Sequence, residues 1–200
     1  TPTSSSAASD VYKRQDIVQI HWSTAKYNPW QELQLLNNLC DLIDQGFNFQ
    51  IGLSNIGPQR LKKIIQYLSK RDKKVKSVQI QFSLLSPDFL KHTNVKRICE
   101  NNDIDFLAYS PLSFGILCID PEKDEDKQNS FLRGLIFKNY KKSSIELRRC
   151  LKKIAVSRSV SQAQVAINWC CYQGAIPLVG MRKRSQVIDC LLYTSPSPRD

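Results

Sequence analysis

The 200-residue chain has no apolar run near the roughly 18–20 residues that a membrane-spanning helix needs. The stretch Thr1–Gln15 has no apolar centre, so it is not expected to be a secretory signal. The chain lacks the G-x-G-x-x-G fingerprint of doubly wound dinucleotide folds. Its nearest approach, Gly52–Gly57, also lacks the Gly-Lys pair of a phosphate-binding loop. These absences predict no membrane insertion and argue against both nucleotide-binding folds.

Cysteine is present, but in no recognisable arrangement. The seven cysteines stand at positions 40, 99, 118, 150, 170, 171 and 190. The adjacent pair Cys170 and Cys171 suits neither a C-x-x-C redox pair nor a zinc knuckle. We therefore expect no metal site and reduced, mostly buried thiols, as is usual inside cells. The predicted location is intracellular, with the cytoplasm as the first choice and a plastid as the alternative.

The formal net charge of +11 at pH 7 raises the question of a nucleic-acid partner. The basic residues are spread along predicted helices, for example Arg148, Arg149, Lys152 and Lys153, and no nucleic-acid-binding motif accompanies them. We therefore interpret the charge as solvated helix faces together with a site for an anionic cofactor or substrate. No nucleic-acid partner is predicted.

The two ends differ in composition from the rest of the chain. Residues 1–15 are rich in serine, alanine and threonine without periodicity, and the segment 191–200 (LLYTSPSPRD) contains two prolines. Both resemble translated adapter sequence, or else disordered tails. The sequence therefore predicts a non-native or disordered lead over 1–15, a partial domain over 16–189 and a non-native or disordered tail over 190–200.

Strands and amphipathic helices alternate through the middle of the chain. Predicted strands start near residues 16, 49, 75 and 104, about 30 residues apart, which is the length of one βα unit, and a last strand is predicted over Ala175–Gly180. The first helix has Asn28 as a cap, Pro29 at its first position and Gly46 at its exit. This alternation of strands and helices predicts a parallel sheet. A (β/α)₈ barrel is a better candidate than a doubly wound fold, and in such a barrel the functional residues lie at the carboxyl ends of the strands.

Two later helices are predicted from their first turns. Ser143 with Glu146, and Ser161 with Gln164, have the spacing of a capping box. A long loop, from residue 112 to about residue 143, precedes the first of these helices.

Five segments match aldo-keto reductases in order and spacing: Asp16–Trp22 (DIVQIHW), Gly52–Asn55 (GLSN), Gln79–Leu85 (QIQFSLL), Ala108–Leu117 (AYSPLSFGIL) and Ile176–Gln186 (IPLVGMRKRSQ). The chain resembles that family, and within it the bacterial- and plant-type reductases and the potassium-channel β subunits. The resemblance implies an incomplete (β/α)₈ TIM barrel that covers about strands four to eight. It also implies an NADP-dependent oxidoreductase that reduces aldehydes or ketones to alcohols.

The resemblance assigns residues to catalysis and to the nicotinamide end of NADP. Of the family's Asp, Tyr, Lys and His tetrad, only the histidine has a counterpart, His21, so this chain by itself is expected to be inactive. Ser54, Asn55 and Gln79 correspond to the residues that hold the nicotinamide carboxamide. Tyr109 corresponds to the aromatic residue that stacks on the nicotinamide ring.

The rest of the cofactor is assigned to two further segments. The residues matching the pyrophosphate-binding loop are Ser110, Leu112, Gly115 and Leu117, and the resemblance implies that they offer backbone N–H groups and a hydroxyl to the phosphates. Those matching the adenosine-ribose end are Gly180, Arg182 and Gln186. A guanidinium suits phosphate oxygens, so Arg182 is the candidate for the 2′-phosphate and favours NADP over NAD. Asp189 is the candidate for an acidic residue at the adenine.

Two functions follow from the resemblance. The first is an enzyme that reduces a small-molecule carbonyl substrate. The second is a non-enzymatic regulatory subunit of the potassium-channel β type, which has the same fold and cofactor pocket and whose basic surface would suit an acidic protein partner. The sequence upstream of the present segment would discriminate between them, because it would carry or lack the other three tetrad residues.

Overall fold

The computed structural model describes residues 15–21, 28–86, 89–122 and 142–191. The predictions for most of the lead, for residues 192–200 of the tail and for residues 123–141 of the long loop lie outside the described residues. The chain forms two compact units. The first comprises residues up to Ile80 together with Asp88–Leu107, and the second comprises Gln81–Pro87 together with residues from Ala108 onward.

The first unit contains three βα pairs and the start of a fourth strand. Its elements are β1 (Ile17–Ile20), α1 (Pro29–Asp44), β2 (Gln50–Ser54), α2 (Pro58–Ser69), β3 (Val75–Gln81) except its last residue, α3 (Phe89–Asn101) and the beginning of β4 (Asp105–Tyr109). The strands are neighbours in the order β1-β2-β3-β4. The pairs β1–β2 and β2–β3 are parallel, with Ile17 opposite Gln50 and Ser54 opposite Gln79. The predicted α/β class with a parallel sheet is confirmed.

The second unit continues the same alternation. It contains the end of β4, a 3₁₀ helix (Ser113–Cys118), α4 (Ile145–Ser157), α5 (Gln162–Tyr172), β5 (Ile176–Leu178) and α6 (Arg184–Leu191). In the sheet, β5 lies beside β4. No helix within the described ranges is both long enough and apolar enough to cross a membrane.

Helix α1 begins and ends as its sequence predicts. The side chain of Asn28 accepts a hydrogen bond from the backbone N–H of Gln31 at 3.3 Å, and Pro29 occupies the first turn. Gly46 adopts φ +96°, a left-handed conformation that glycine reaches at low cost, and its N–H donates to the carbonyl of Ile43. The predicted start and end of this helix are confirmed.

The two predicted capping boxes have different outcomes. Ser161 and Gln164 form both reciprocal bonds, at 3.1 and 2.8 Å, at the start of α5. A cap of this kind contributes about 1 kcal/mol to stability. The prediction for α4 is wrong, because its N-cap is Ser144, which makes no side-chain capping bond. Glu146 instead pairs with Arg149, one turn further along the helix, at 2.6 Å.

The core of the second unit holds the loop after β4 in place. Leu117 is fully buried and packs with Leu151 of α4 and Ala166 of α5, and Leu112 packs against the same cluster. The ring of Phe82 stacks on Trp169 of α5 with 5.2 Å between centroids. Burying a leucine side chain stabilises a fold by about 1.5–3 kcal/mol. The loop that follows β4 is therefore anchored by its own apolar residues.

Candidate functional site

The ends of β2 and β3 bring three polar side chains of the first unit together. Ser54, the last residue of β2, is buried and lies opposite Gln79 of β3. Asn55 follows Ser54; its backbone N–H donates to the carbonyl of Gln79 at 2.9 Å, and its side-chain amide donates to the Ser54 hydroxyl at 2.8 Å. Asn55 has φ +55°, which asparagine tolerates better than most residues. Two amides and a hydroxyl can recognise a carboxamide, and the nicotinamide assignment stays a prediction.

His21 directly follows β1 and is exposed. The strand before it is fixed to β2, because Ile20 lies opposite Leu53 and the side-chain amide of Gln19 donates to the carbonyl of Leu53 at 2.9 Å. The histidine is thus placed at the carboxyl end of a strand that neighbours the strand carrying Ser54, as the barrel argument expects.

Gly52, in the middle of β2, has a packing role that the sequence did not reveal. A Cβ atom at this position would come within 2.7 Å of the Ser77 hydroxyl oxygen and within 3.0 Å of a methyl group of Ile17. A side chain would therefore push on both neighbouring strands. The glycine allows β1 and β3 to approach β2 closely, just before the end of the strand that carries Ser54.

The loop after β4 has an unusual backbone. Ser110, Ser113, Phe114 and Gly115 all adopt positive φ, at 52°, 49°, 58° and 92°. The N–H groups of Gly115 and Leu117 both donate to the carbonyl of Leu112, at 2.9 and 3.4 Å. In this structure these two N–H groups therefore close the loop itself. Their predicted donation to a phosphate would have to share or replace those bonds.

A cleft of about 790 Å³ in the second unit unites two of the predicted segments. Its lining includes six of the predicted cofactor residues: Ser110, Leu112, Gly115, Gly180, Arg182 and Gln186. Pockets for small molecules and cofactors typically measure about 300–1,000 Å³. Two other predicted residues of this unit do not line the cleft. Leu117 is in the core, and Tyr109 ends β4, where its carbonyl accepts from the N–H of Phe82.

The turn after β5 is fixed by Gln186. Its side-chain oxygen accepts hydrogen bonds from the backbone N–H groups of Arg182 at 2.8 Å and Lys183 at 3.0 Å. The Arg182 residue is exposed at the cleft. A Cβ atom added at Gly180 or at Gly115 would meet nothing within 4 Å, so the space in front of both glycines is open. Gln186 therefore shapes the turn that presents Arg182.

Asp189 is placed away from this cleft. Its carboxylate accepts from the hydroxyl of Ser161 at 3.0 Å, and its carbonyl accepts from the side-chain amide of Gln164 at 2.8 Å. It lines a cavity of about 360 Å³ at the start of α5, which shares Cys118 with the cleft. In this structure Asp189 ties α6 to α5, and the suggested contact with adenine stays a prediction.

Six residues that line the cleft are not among the predicted cofactor residues, and they include Phe114, Met181 and Cys118. Phe114 is 67% exposed, Met181 is 39% exposed, and Cys118 is an exposed free thiol. The protein atoms around the Cys118 thiol desolvate it and raise its pKa to about 11, although the residue as a whole is exposed to solvent. The only sequence signal for Phe114 was a bulky aromatic residue directly before Gly115, a position where the backbone turns.

Comparisons with known proteins agree with the matched segments. Residues 9–195 match the sequence model of the Aldo/keto reductase family. The chain is 38% identical over 175 residues to the chloroplastic pyridoxal reductase of Arabidopsis thaliana, covering 88% of this chain and 47% of that protein.

Two further relatives share less of their sequence with this chain. The chain is 23% identical over 137 residues to L-glyceraldehyde 3-phosphate reductase of Escherichia coli, covering 66% of this chain and 39% of that protein. It is 23% identical over 179 residues to an aldo-keto reductase of Alternaria alternata, covering 88% of this chain and 47% of that protein. The chain thus spans about half the length of the curated relatives it matches, or less.

Proposed function

Because the chain belongs to the aldo/keto reductase family, we propose that the protein containing it reduces an aldehyde or ketone to an alcohol, with NADPH as the hydride donor. The observation that carries the proposal is the cleft of the second unit. Two segments far apart in sequence, which the family resemblance assigns to the pyrophosphate and to the adenosine ribose, line one cleft of about 790 Å³.

The residues present fit a dinucleotide phosphate. Open space in front of Gly115 and Gly180 allows phosphate or ribose oxygens to approach the backbone closely. Arg182 is exposed at the same cleft, and a guanidinium recognises phosphate with several donors at once. These features support NADP rather than NAD. When bound, NADPH supplies the hydride that the reduction requires.

The residues of the first unit would act at the reacting end. In our proposal His21 donates a hydrogen bond to the carbonyl oxygen of the substrate and orients it. Such a bond stabilises negative charge that develops on this oxygen. Ser54, Asn55 and Gln79 would hold the carboxamide. The juxtaposition of Ser54 with Gln79 on adjacent parallel strands supports that role.

We also propose that this segment corresponds to about strands four to eight of the barrel and is inactive alone. The support is that it covers 47% of the pyridoxal reductase it resembles. In the family pattern, the aspartate, tyrosine and lysine of the tetrad come from the first three strands. A five-stranded open sheet also leaves edge strands unpaired, so the isolated segment is expected to aggregate.

The substrate class is proposed from the relatives. The chain is 38% identical to a protein named pyridoxal reductase, so aromatic aldehydes such as pyridoxal are the first substrates to test. The same relative is named chloroplastic, which supports a plastid as a location to test beside the cytoplasm.

The test uses the full-length protein that contains this segment. NADPH oxidation is followed spectroscopically with pyridoxal and with a second aromatic aldehyde, and the 200-residue chain alone serves as the control. We expect turnover only with the full-length protein, and faster with NADPH than with NADH. A full-length protein that binds no NADPH would overturn the proposal. One that binds NADPH without turning over any aldehyde would favour the regulatory-subunit alternative.

A further inference from the structure

Phe114 is in an unfavourable place for a structural residue. The residue is 67% exposed, and its backbone has φ 58° and ψ 21°. The left-handed region is rare for a bulky residue, and an exposed ring gains little from burial. Neither the core nor the backbone of the second unit accounts for a phenylalanine here. Such outliers cluster at ligand-binding positions.

The surrounding loop holds this conformation in place. Ser113, on one side, is buried, and its hydroxyl lies 2.8 Å from that of Ser83. On the other side, the N–H of Gly115 donates to the carbonyl of Leu112 at 2.9 Å. The loop is therefore fixed on both sides of Phe114, and the aromatic side chain lies at the wall of the cleft.

The cleft also indicates which ligand group the ring would meet. Phe114 lines it together with Met181 and Arg182 from the turn after β5. If Arg182 binds a 2′-phosphate, the attached ribose carries its adenine base within the same cleft. A base offers a flat π-face, and exposed aromatic side chains stack on such faces whatever the base.

We propose that Phe114 is a cofactor-binding residue of the cleft, whose ring stacks on the adenine base of the bound dinucleotide. The proposal rests on the proposed NADP-binding function and adds a side-chain contact to a loop whose predicted contribution is its backbone and a hydroxyl. It makes the adenine half of the cofactor, and not the nicotinamide half, depend on this ring.

The test compares three variants of the full-length protein. Phe114→Asn removes the ring but keeps a residue that tolerates positive φ, so it should fold at least as well as the parent protein. Phe114→Trp keeps an aromatic ring and provides a fluorophore. Tyr172→Asn is the matched control, since Tyr172 is an exposed aromatic residue that does not line the cleft.

Calorimetric titrations with adenosine 2′,5′-bisphosphate and with nicotinamide mononucleotide separate the two halves of the cofactor. We expect Phe114→Asn to weaken adenosine bisphosphate binding by about 5- to 100-fold and to leave mononucleotide binding unchanged. Phe114→Trp should bind normally and lose fluorescence on binding, and Tyr172→Asn should match the parent protein.

Two outcomes would count against the proposal in different ways. If the parent protein binds adenosine bisphosphate and Phe114→Asn binds it equally well, the stacking role is overturned and the NADP site stands. If the parent protein binds neither adenosine bisphosphate nor NADPH, the proposed function fails and the stacking role fails with it.

Discussion

The hydroxyl oxygens of Ser83 and Ser113 lie 2.8 Å apart, and both residues are almost fully buried. This hydrogen bond joins the segment after β3 to the start of the 3₁₀ helix that borders the cleft. Ser83 also accepts from the N–H of Leu85 at 3.1 Å. The shape of the candidate pyrophosphate loop therefore depends on a serine from a different part of the chain.

Replacing Ser83 with alanine should destabilise the protein by about 1–3 kcal/mol, because it leaves a buried hydroxyl and a backbone N–H without their partner. The control is Ser157→Ala, an exposed serine of α4, which should change stability by less than about 0.5 kcal/mol. Urea unfolding of the full-length protein measures both. Equal effects of the two substitutions on the free energy of unfolding would show that the buried Ser83–Ser113 hydrogen bond adds no measurable stability.

Replacing Arg182 with alanine should weaken NADPH binding by roughly 10- to 150-fold, the loss expected for hydrogen bonds to a charged phosphate. Binding of NADH should change little, since NADH has no 2′-phosphate. Arg182→Lys should recover part of the affinity, because an ammonium binds phosphate without the guanidinium's fixed fork. Fluorescence titration with NADPH and with NADH measures how far each substitution changes the affinity for each cofactor. An equal loss for NADPH and NADH would exclude a specific phosphate contact.

Gln186 is expected to act by positioning the turn that presents Arg182. Gln186→Ala removes the acceptor of two backbone N–H groups, so hydrogen exchange at Arg182 and Lys183 should accelerate in the protein without cofactor. NADPH affinity should fall together with that protection. Gln186→Glu keeps an acceptor oxygen and should keep the protection. If exchange is unchanged in Gln186→Ala while affinity falls, the residue contacts the ligand directly instead.

The thiol of Cys118 should report on occupation of the cleft. Its pKa is raised to about 11 by burial, so the neutral thiol dominates at pH 7 and alkylation should accelerate roughly tenfold per pH unit between pH 7 and pH 10. Adenosine 2′,5′-bisphosphate should slow that alkylation. Cys150, an exposed thiol on α4 outside the cleft, is the internal control. Peptide mass spectrometry that finds no protection of Cys118 relative to Cys150 would place the ligand elsewhere.

His21→Ala in the full-length enzyme should lower turnover by about 10²- to 10³-fold, the loss typical of removing one donor to a developing oxyanion. NADPH affinity should change far less, because the contact is to the substrate. His92, the only other histidine, matches no family motif, and His92→Ala should behave like the parent protein. Steady-state kinetics measures the turnover of each variant, and a separate titration measures its NADPH affinity. A turnover that survives in His21→Ala would remove this residue from the catalytic set.

Burial of the other cysteines is consistent with the thiol interpretation of the sequence. Cys40, Cys99, Cys170 and Cys190 are buried, and Cys118, Cys150 and Cys171 are exposed; all seven are free. Burial raises the pKa of both Cys99 and Cys170 to about 12, which keeps them unreactive near neutral pH.

The local elements could be predicted because their causes are local. Asn28, Gly46 and the pair Ser161–Gln164 act through hydrogen bonds within a few residues of themselves, so their sequence signature is complete. The start of α4 is the exception. Ser143 and Glu146 had the spacing of a capping box, but the helix starts one residue later, and Glu146 pairs with Arg149. Two local partners competed for one carboxylate, and spacing alone does not decide between them.

The sequence by itself determined the order of strands and helices, the family and the chemical types of the candidate site residues. Only the tertiary structure decided that the loop after β4 and the turn after β5 line one cleft, that Phe114 and Cys118 belong to it, and that Asp189 bonds to Ser161 and Gln164. The reason is that helix caps and alternation depend on near neighbours. A cleft depends on packing between residues far apart in the chain, and on backbone conformations such as the positive φ of Phe114 that the surrounding core enforces.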